Sequence, residues 1–399
     1  MRIEKQFTSY LSRAAVVIAS LIVAFLPARL LTSPREGNKW DKALPLSRSG
    51  NGGEAPTKDR VPLAAMRARV MNARPLAMYY SMDDAFGLDS LLEHASAMTL
   101  LAPQCFWLGQ NGDIQGGVSP AALEVTSQAR LPVMALLYNR NFNREIATLL
   151  LRNRGLQRRV ISNMAAIAKQ ENLLGFQLDL ENIDPNDENL YTRFVRDAAR
   201  EMHREGRLLS VAVVPRFRDS RPNQWSAAYD YPALAQSADF LTLMAYNNSG
   251  RNGPPGPVAG YGWVEKALEY AVRRVPPDKL LLGIPLYGRE WIRNGNGYQA
   301  RTMPYQETKA VLERLSIRPQ WDERQRSPWF EYQTNSTVCK VWYEDARSFS
   351  EKLRLVERFR LRGFAAWRLG VEDPRVWSIV ATMRENRPAA TAHEYVSGY

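Results

Sequence analysis

Asp179 and Glu181 stand two positions apart in the run Leu173-Leu174-Gly175-Phe176-Gln177-Leu178-Asp179-Leu180-Glu181-Asn182. Side chains alternate across a β-strand, so Phe176, Leu178 and Leu180 share one face. Gly175, Gln177, Asp179 and Glu181 share the other. Cα atoms at i and i+2 of a strand lie roughly 6.5–7 Å apart, with their side chains side by side. Such a pair does not flank a scissile bond from opposite sides. Instead, each carboxylate raises the proton affinity of the other, which leaves a protonated acid available near neutral pH. In an open antiparallel sheet the same pattern describes a half-solvated strand. In a closed parallel barrel the polar face points inward. There an unpaired carboxylate costs several kcal/mol and persists mainly at strand ends that do chemistry.

The flanking chain alternates strand-like and helix-like segments. Strands are predicted at Leu76–Ser81, Thr99–Leu108, Pro132–Tyr138, the central run, Leu208–Val214, Phe240–Tyr246, Leu280–Tyr287 and Gly363–Arg368. Helices are predicted at Leu88–Ala97, Leu156–Gln170, Glu188–Glu205 with Gly206 as its stop, Val264–Val275 and Ala346–Phe359. Eight strands with helical crossovers predict the α/β class and a (β/α)8 TIM barrel, here spanning residues 71–385. A small α+β insertion is expected between strands seven and eight, at about residues 290–345, with a hairpin turning at Asn335-Ser336. Residues 29–70 are rich in Gly, Pro and charge and read as a flexible linker, and 386–399 as a tail.

Arg2, Lys5 and Arg13 precede the apolar run Ala14–Leu26, which is too short to span a membrane. Residues 1–28 therefore read as a signal peptide, or as an uncleaved anchor because Leu26 is bulky where a cleavage site prefers a small residue. Export to the periplasm, cell envelope or exterior follows. The net charge of +12 suits an anionic polymer or surface. Basic residues are scattered and no zinc-finger, RNA-recognition or basic-helix pattern occurs, which argues against nucleic acid. Cys105 and Cys339 are too far apart in sequence for metal-ligand spacing, and buried free thiols are expected. His94 and His203 read as surface residues and His393 lies in the tail, so no histidine triad or zinc site can be assembled.

The central run resembles the strand-four Asp-x-x-Asp-x-Asp-x-Glu motif of family 18 glycoside hydrolases, with Leu174 and Gln177 in place of the first two Asp residues. Gln177 is closer to the Asn found there in the peptidoglycan-active, spore-cortex-type branch. Leu243-Met244-Ala245-Tyr246-Asn247 is similar to the family's Met-x-Tyr-Asp motif, with Asn247 replacing Asp. Gly363–Gly370 resembles the strand-eight motif whose Trp, here Trp367, floors the sugar site; aromatic faces suit the C–H face of a pyranose. Leu282–Trp291 resembles strand seven of the bacterial branch, and so do Gln320–Glu323 and Val341–Ser348. The resemblance implies substrate-assisted, retaining cleavage of β-linked N-acetylglucosamine polymers, peptidoglycan before chitin, without metal or organic cofactor, and a monomer is expected. It implies Glu181 as acid and base, Asp179 and Tyr246 as holders of the acetamido group, and Trp367, Gln177, Met244, Asn247 and Tyr287 as substrate contacts. Tyr79, ending strand one, is placed in the same pocket. A catalytically silent glycan-binding barrel, a chitinase proper and a charged scaffold for anionic wall polymer remain as alternatives.

Overall fold

The computed structural model describes residues 61–219, 223–295, 297–334 and 337–385. The leader at 1–28, most of the linker and the tail at 386–399 lie outside them.

In chain order the strands are β1 (Leu76–Ser81), β2 (Leu100–Leu108), β3 (Ile114–Gly116), β4 (Met134–Asn139), β5 (Gly175–Asp179), β6 (Leu208–Val213), β7 (Phe240–Leu243) and β8 (Leu280–Pro285). There follow β9 (Gly288–Asn294), β10 (Gly297–Met303), β11 (Gln320–Asp322), β12 (Ser327–Thr334), β13 (Thr337–Trp342) and β14 (Gly363–Trp367). Strands β1, β2, β4, β5, β6, β7, β8 and β14 pair in parallel, and β1 bonds to both β14 and β2, which closes the barrel. These are the eight strands expected from the sequence, each within a few residues of its predicted bounds. Most of the helices between them fall close to the expected spans, and Gly206 ends the helix Glu188–Arg204 at φ 72°, a conformation glycine adopts without strain.

Alternation sorts side chains into two cores. Phe176, Leu178 and Leu180 pack outward, with Tyr191 and Phe194 of the helix that follows β5. Leu174 points inward with Met78, Met134, Leu208 and Phe240, so an apolar residue there fills the barrel floor. Met66 and Val70 of the helix Leu63–Asn72 join the same floor cluster. This corrects the linker expectation, because residues 63–70 are a helix packed across the bottom of the barrel rather than a flexible link. The run Leu63, Met66 and Val70 repeats every three to four residues, and that period is the signal.

Three further features exceed the sequence expectation. Short β3 folds back antiparallel on β2 after the turn at Gly109–Gly112. Helix Pro120–Gln128 lies between β3 and β4, and helix Arg144–Arg152 precedes the predicted helix between β4 and β5. The insertion is a five-stranded antiparallel sheet, in the order β10-β9-β13-β12-β11, with the helix Tyr305–Arg314 against its Phe330 and Val341 face. The expected hairpin is β12–β13, and its turn at 335–336 lies outside the described residues. Among the described residues no helix is long and apolar enough to cross a membrane.

Candidate active site

The top of β5 carries the chemistry. Asp179 is the last residue of the strand and is 4% exposed, and Glu181 follows, partly buried, on the same inward side. Burial pushes both carboxyls above their ordinary range, and the charge of Asp179 pushes Glu181 further. The buried Oδ1 of Asp179 has no hydrogen-bond partner. Neither carboxyl forms an ion pair among the described residues, so no cation there offsets the cost of burying their charge.

Glu181 lies one step beyond the β4–β5 ladder, whose last pair is Tyr138 with Asp179. The side chain of Asn139 extends that ladder. Its Oδ1 accepts from the Glu181 N–H at 3.0 Å, and its Nδ2 donates to the Glu181 carbonyl at 3.0 Å and to the Asn143 carbonyl at 2.9 Å. Fully buried, Asn139 thus copies a strand partner and fixes the acid's backbone. From the outer layer, the Tyr229 hydroxyl donates to the Leu180 carbonyl at 2.8 Å. Asn182, at φ 55°, receives Arg144 at 2.9 Å, which ties the loop after β4 to the loop after β5.

Tyr246 closes the other side. After β7 the chain makes two successive tight turns, with Ala245 N–H donating to the Leu243 carbonyl at 2.7 Å and Tyr246 N–H to the Met244 carbonyl at 2.8 Å. The phenol is held above its ordinary range by burial, and then by Tyr80, Asp179, Tyr287 and Glu181. The ring needs the space that Gly283 leaves. A Cβ there would meet the Leu243 carbonyl oxygen at 2.6 Å and Tyr246 Cε1 at 2.9 Å. Met244, 8% exposed, belongs to both turns. Tyr287 donates to Asn247 Oδ1 at 2.6 Å, and burial pushes its own hydroxyl up to about 12.

One expected contact is corrected. Tyr79 points out of the barrel, stacked on Trp377 at 4.8 Å and edge-on to Phe364. The inward aromatic of β1 is Tyr80, whose hydroxyl receives Gln177 Nε2 at 2.9 Å and whose ring lies 5.1 Å from that of Trp367. Adjacent tyrosines leave a one-residue ambiguity, and a one-residue shift reverses which face each occupies. Counting from Leu76 and Met78, both on the inner side, would have selected Tyr80. Gln177 is fully buried, so it supports Tyr80 beneath the pocket rather than lining its surface. Sequence reasoning also missed Asn139 and Arg289; the latter is 5% exposed and donates to Asn247 Oδ1.

The histidines stand away from this cluster. His203 pairs with Asp239 at 2.9 Å, and His94, tucked in rather than exposed, stacks on Trp377 at 4.2 Å. Cys105 and Cys339 are both free thiols. Among the described residues no group of His, Cys, Asp and Glu side chains could hold a metal ion.

The family model described as glycosyl hydrolases family 18 matches residues 140–372. A cortical fragment-lytic enzyme of Bacillus subtilis is 28% identical over 295 residues, which is 72% of this chain and 68% of that protein. The crystal structure of the spore cortex-lytic enzyme SleL of Bacillus megaterium superposes with a TM-score of 0.72 at 27% identity, over 78% of this chain and 74% of that one. A chitinase from Chromobacterium violaceum superposes equally, with a TM-score of 0.72 at 27% identity, over 78% of this chain and all of the other (100%).

Proposed function

The chain belongs to the glycosyl hydrolases of family 18, and from that premise we propose that it cleaves β-linked N-acetylglucosamine polymers, peptidoglycan before chitin, by substrate-assisted retention. One observation carries the mechanism. Asp179 and Glu181 share one inward face at a strand end, without a cation partner among the described residues and with Tyr246 opposite.

Glu181, kept protonated by burial and by Asp179, gives its proton to the leaving glycosidic oxygen as that bond breaks. The acetamido oxygen of the same sugar attacks the anomeric carbon, forming a cyclic oxazolinium ion, so the protein supplies no nucleophile. Asp179 accepts from the acetamido N–H and Tyr246 donates to its oxygen, which aligns the attack and stabilises the developing charge. Glu181, now a carboxylate, takes a proton from water, which opens the oxazolinium ring by attacking the anomeric carbon from the face the leaving group vacated, opposite the acetamido oxygen. Two inversions return the β-anomer. Trp367 offers a ring face to the sugar beside Tyr80.

Three observations support peptidoglycan. Cortex-lytic enzymes stand among the relatives. The chain is basic, at +12, and wall peptides carry carboxylates. Position 177 holds an amide rather than a carboxylate. We propose further that residues 1–28 direct export, with membrane anchoring where they are retained, and that the protein acts as a monomer.

The test is digestion of both polymers side by side, with the anomer of the first product followed by proton NMR. The proposal expects β-product and faster release of reducing N-acetylglucosamine ends from peptidoglycan. Initial α-product would overturn retention. Faster attack on chitin makes the chain a chitinase proper, and turnover of neither polymer makes it a glycan-binding barrel.

A further inference from the structure

Among the described residues Arg289 is a buried cation without a counter-ion. It is 5% exposed, its guanidinium donates to the Ser249 carbonyl and to Asn247 Oδ1, and its buried Nε finds no partner among them. Both acceptors are neutral, and a buried charge is ordinarily paired. Neighbouring carboxylates are committed elsewhere. Glu344, which acts on Tyr287, is held by Lys352 at 2.7 Å. Glu290, next along β9, faces the opposite side of the sheet, where Arg301 and Tyr332 bind it. A second guanidinium, Arg251, stands exposed within electrostatic reach of Arg289 and Tyr287.

Asn247 turns this charge toward solvent. An arginine has no acceptor, so the amide atom facing Arg289 must be oxygen, and Tyr287 donates to the same atom at 2.6 Å. The Nδ2 donor is therefore turned away, and Asn247 is exposed. The residue sits at φ 65°, a left-handed backbone that Asn accepts better than most residues. An aspartate in this place would neutralise Arg289 and present negative charge. Asparagine presents an N–H donor over an uncompensated cation, one residue from Tyr246.

We infer that Asn247, Arg251 and Arg289 form an anion-accepting subsite beside the cleavage centre, fitted to a carboxylate carried on a neighbouring sugar, such as the lactyl carboxylate of a muramoyl residue. The inference deepens the peptidoglycan reading and rests on it. Asn247 Nδ2 and Arg251 supply the contacts, and Arg289 supplies the field behind them. A neutral glycan gains nothing from this charge, so the subsite separates wall glycan from chitin by electrostatics rather than by shape.

The experiment titrates the full chain carrying Glu181→Gln with two probes: a peptide-free muramoyl tetrasaccharide bearing its lactyl carboxylates, and the same tetrasaccharide with those carboxylates amidated. The carboxylate form should bind about tenfold tighter at low salt. Asn247→Asp and Arg251→Ala, each checked for folding by circular dichroism, should bring the ratio of the two affinities close to one. A ratio of one in the parent, or a ratio that neither substitution moves, overturns the subsite. Turnover of neutral N-acetylglucosamine oligomers by the unsubstituted chain separates this failure from failure of the hydrolase reading. If neither probe binds and no oligomer is cut, both fall.

Discussion

At the scale of residues, Asp179 and Glu181 are expensive for the fold. Both carboxyls titrate higher in the folded chain than in an unfolded one because burial disfavours their charge, with Asp179 pushed up to about 7. A raised acid contributes stability that is complete below its unfolded value, near pH 4, and is lost as pH climbs through about 7. Neutral isosteres avoid that loss. Asp179→Asn and Glu181→Gln should each unfold at higher temperature than the parent at pH 8, by about 1–3 kcal/mol of stability, and should match it near pH 4. Thermal melts at the two pH values check this, and an advantage of equal size at both would contradict the burial argument. These two residues and Tyr246 were legible in the sequence because polar groups at the end of an apolar strand have few structural uses. Tyr80 was not, since two tyrosines in succession satisfy either register. Arg289 was not either, because its meaning depends on what it fails to pair with, and spacing cannot show that.

At the scale of elements, the acid is aimed by the end of one strand acting on the next. Asn139 copies a ladder partner for Glu181 after regular pairing has stopped. Asn139→Ala removes both hydrogen bonds to that peptide and frees the side chain to wander by a fraction of an ångström. Turnover at saturation should fall about 10–100-fold while KM changes by less than about threefold, because misplacement of an acid is felt mainly in the transition state. A rise in KM at constant kcat would show that Asn139 serves binding instead. All eight barrel strands were readable as apolar runs bounded by turn residues. Within the expected α+β insertion only the β12–β13 hairpin was read strand by strand, because the other strands are largely polar; β10 buries two of its seven residues, Ala300 and Met303. The helix Arg144–Arg152 carried a signal that went unused. Asn143 caps it by accepting from Glu145 N at 2.7 Å and Ile146 N at 3.1 Å.

At the scale of the whole molecule, closure of β1 on β14 brings Tyr80 and Trp367 to the pocket from opposite ends of the chain, and the insertion sheet adds Arg289 from its first strand. The positive charge of the chain adds a long-range effect. Attack on peptidoglycan should slow several-fold between about 20 and 200 mM salt, whereas turnover of a neutral N-acetylglucosamine oligomer should change little. Equal salt dependence for both substrates would remove charge from the account of substrate choice. Everything proposed turns on one proton at the end of β5. The most direct measurement is therefore the turnover of a chromogenic N-acetylglucosamine oligomer by the parent and by Glu181→Gln, at matched folding. The account predicts a loss of at least about 10²–10⁴-fold in the variant. Undiminished turnover in folded Glu181→Gln would contradict it.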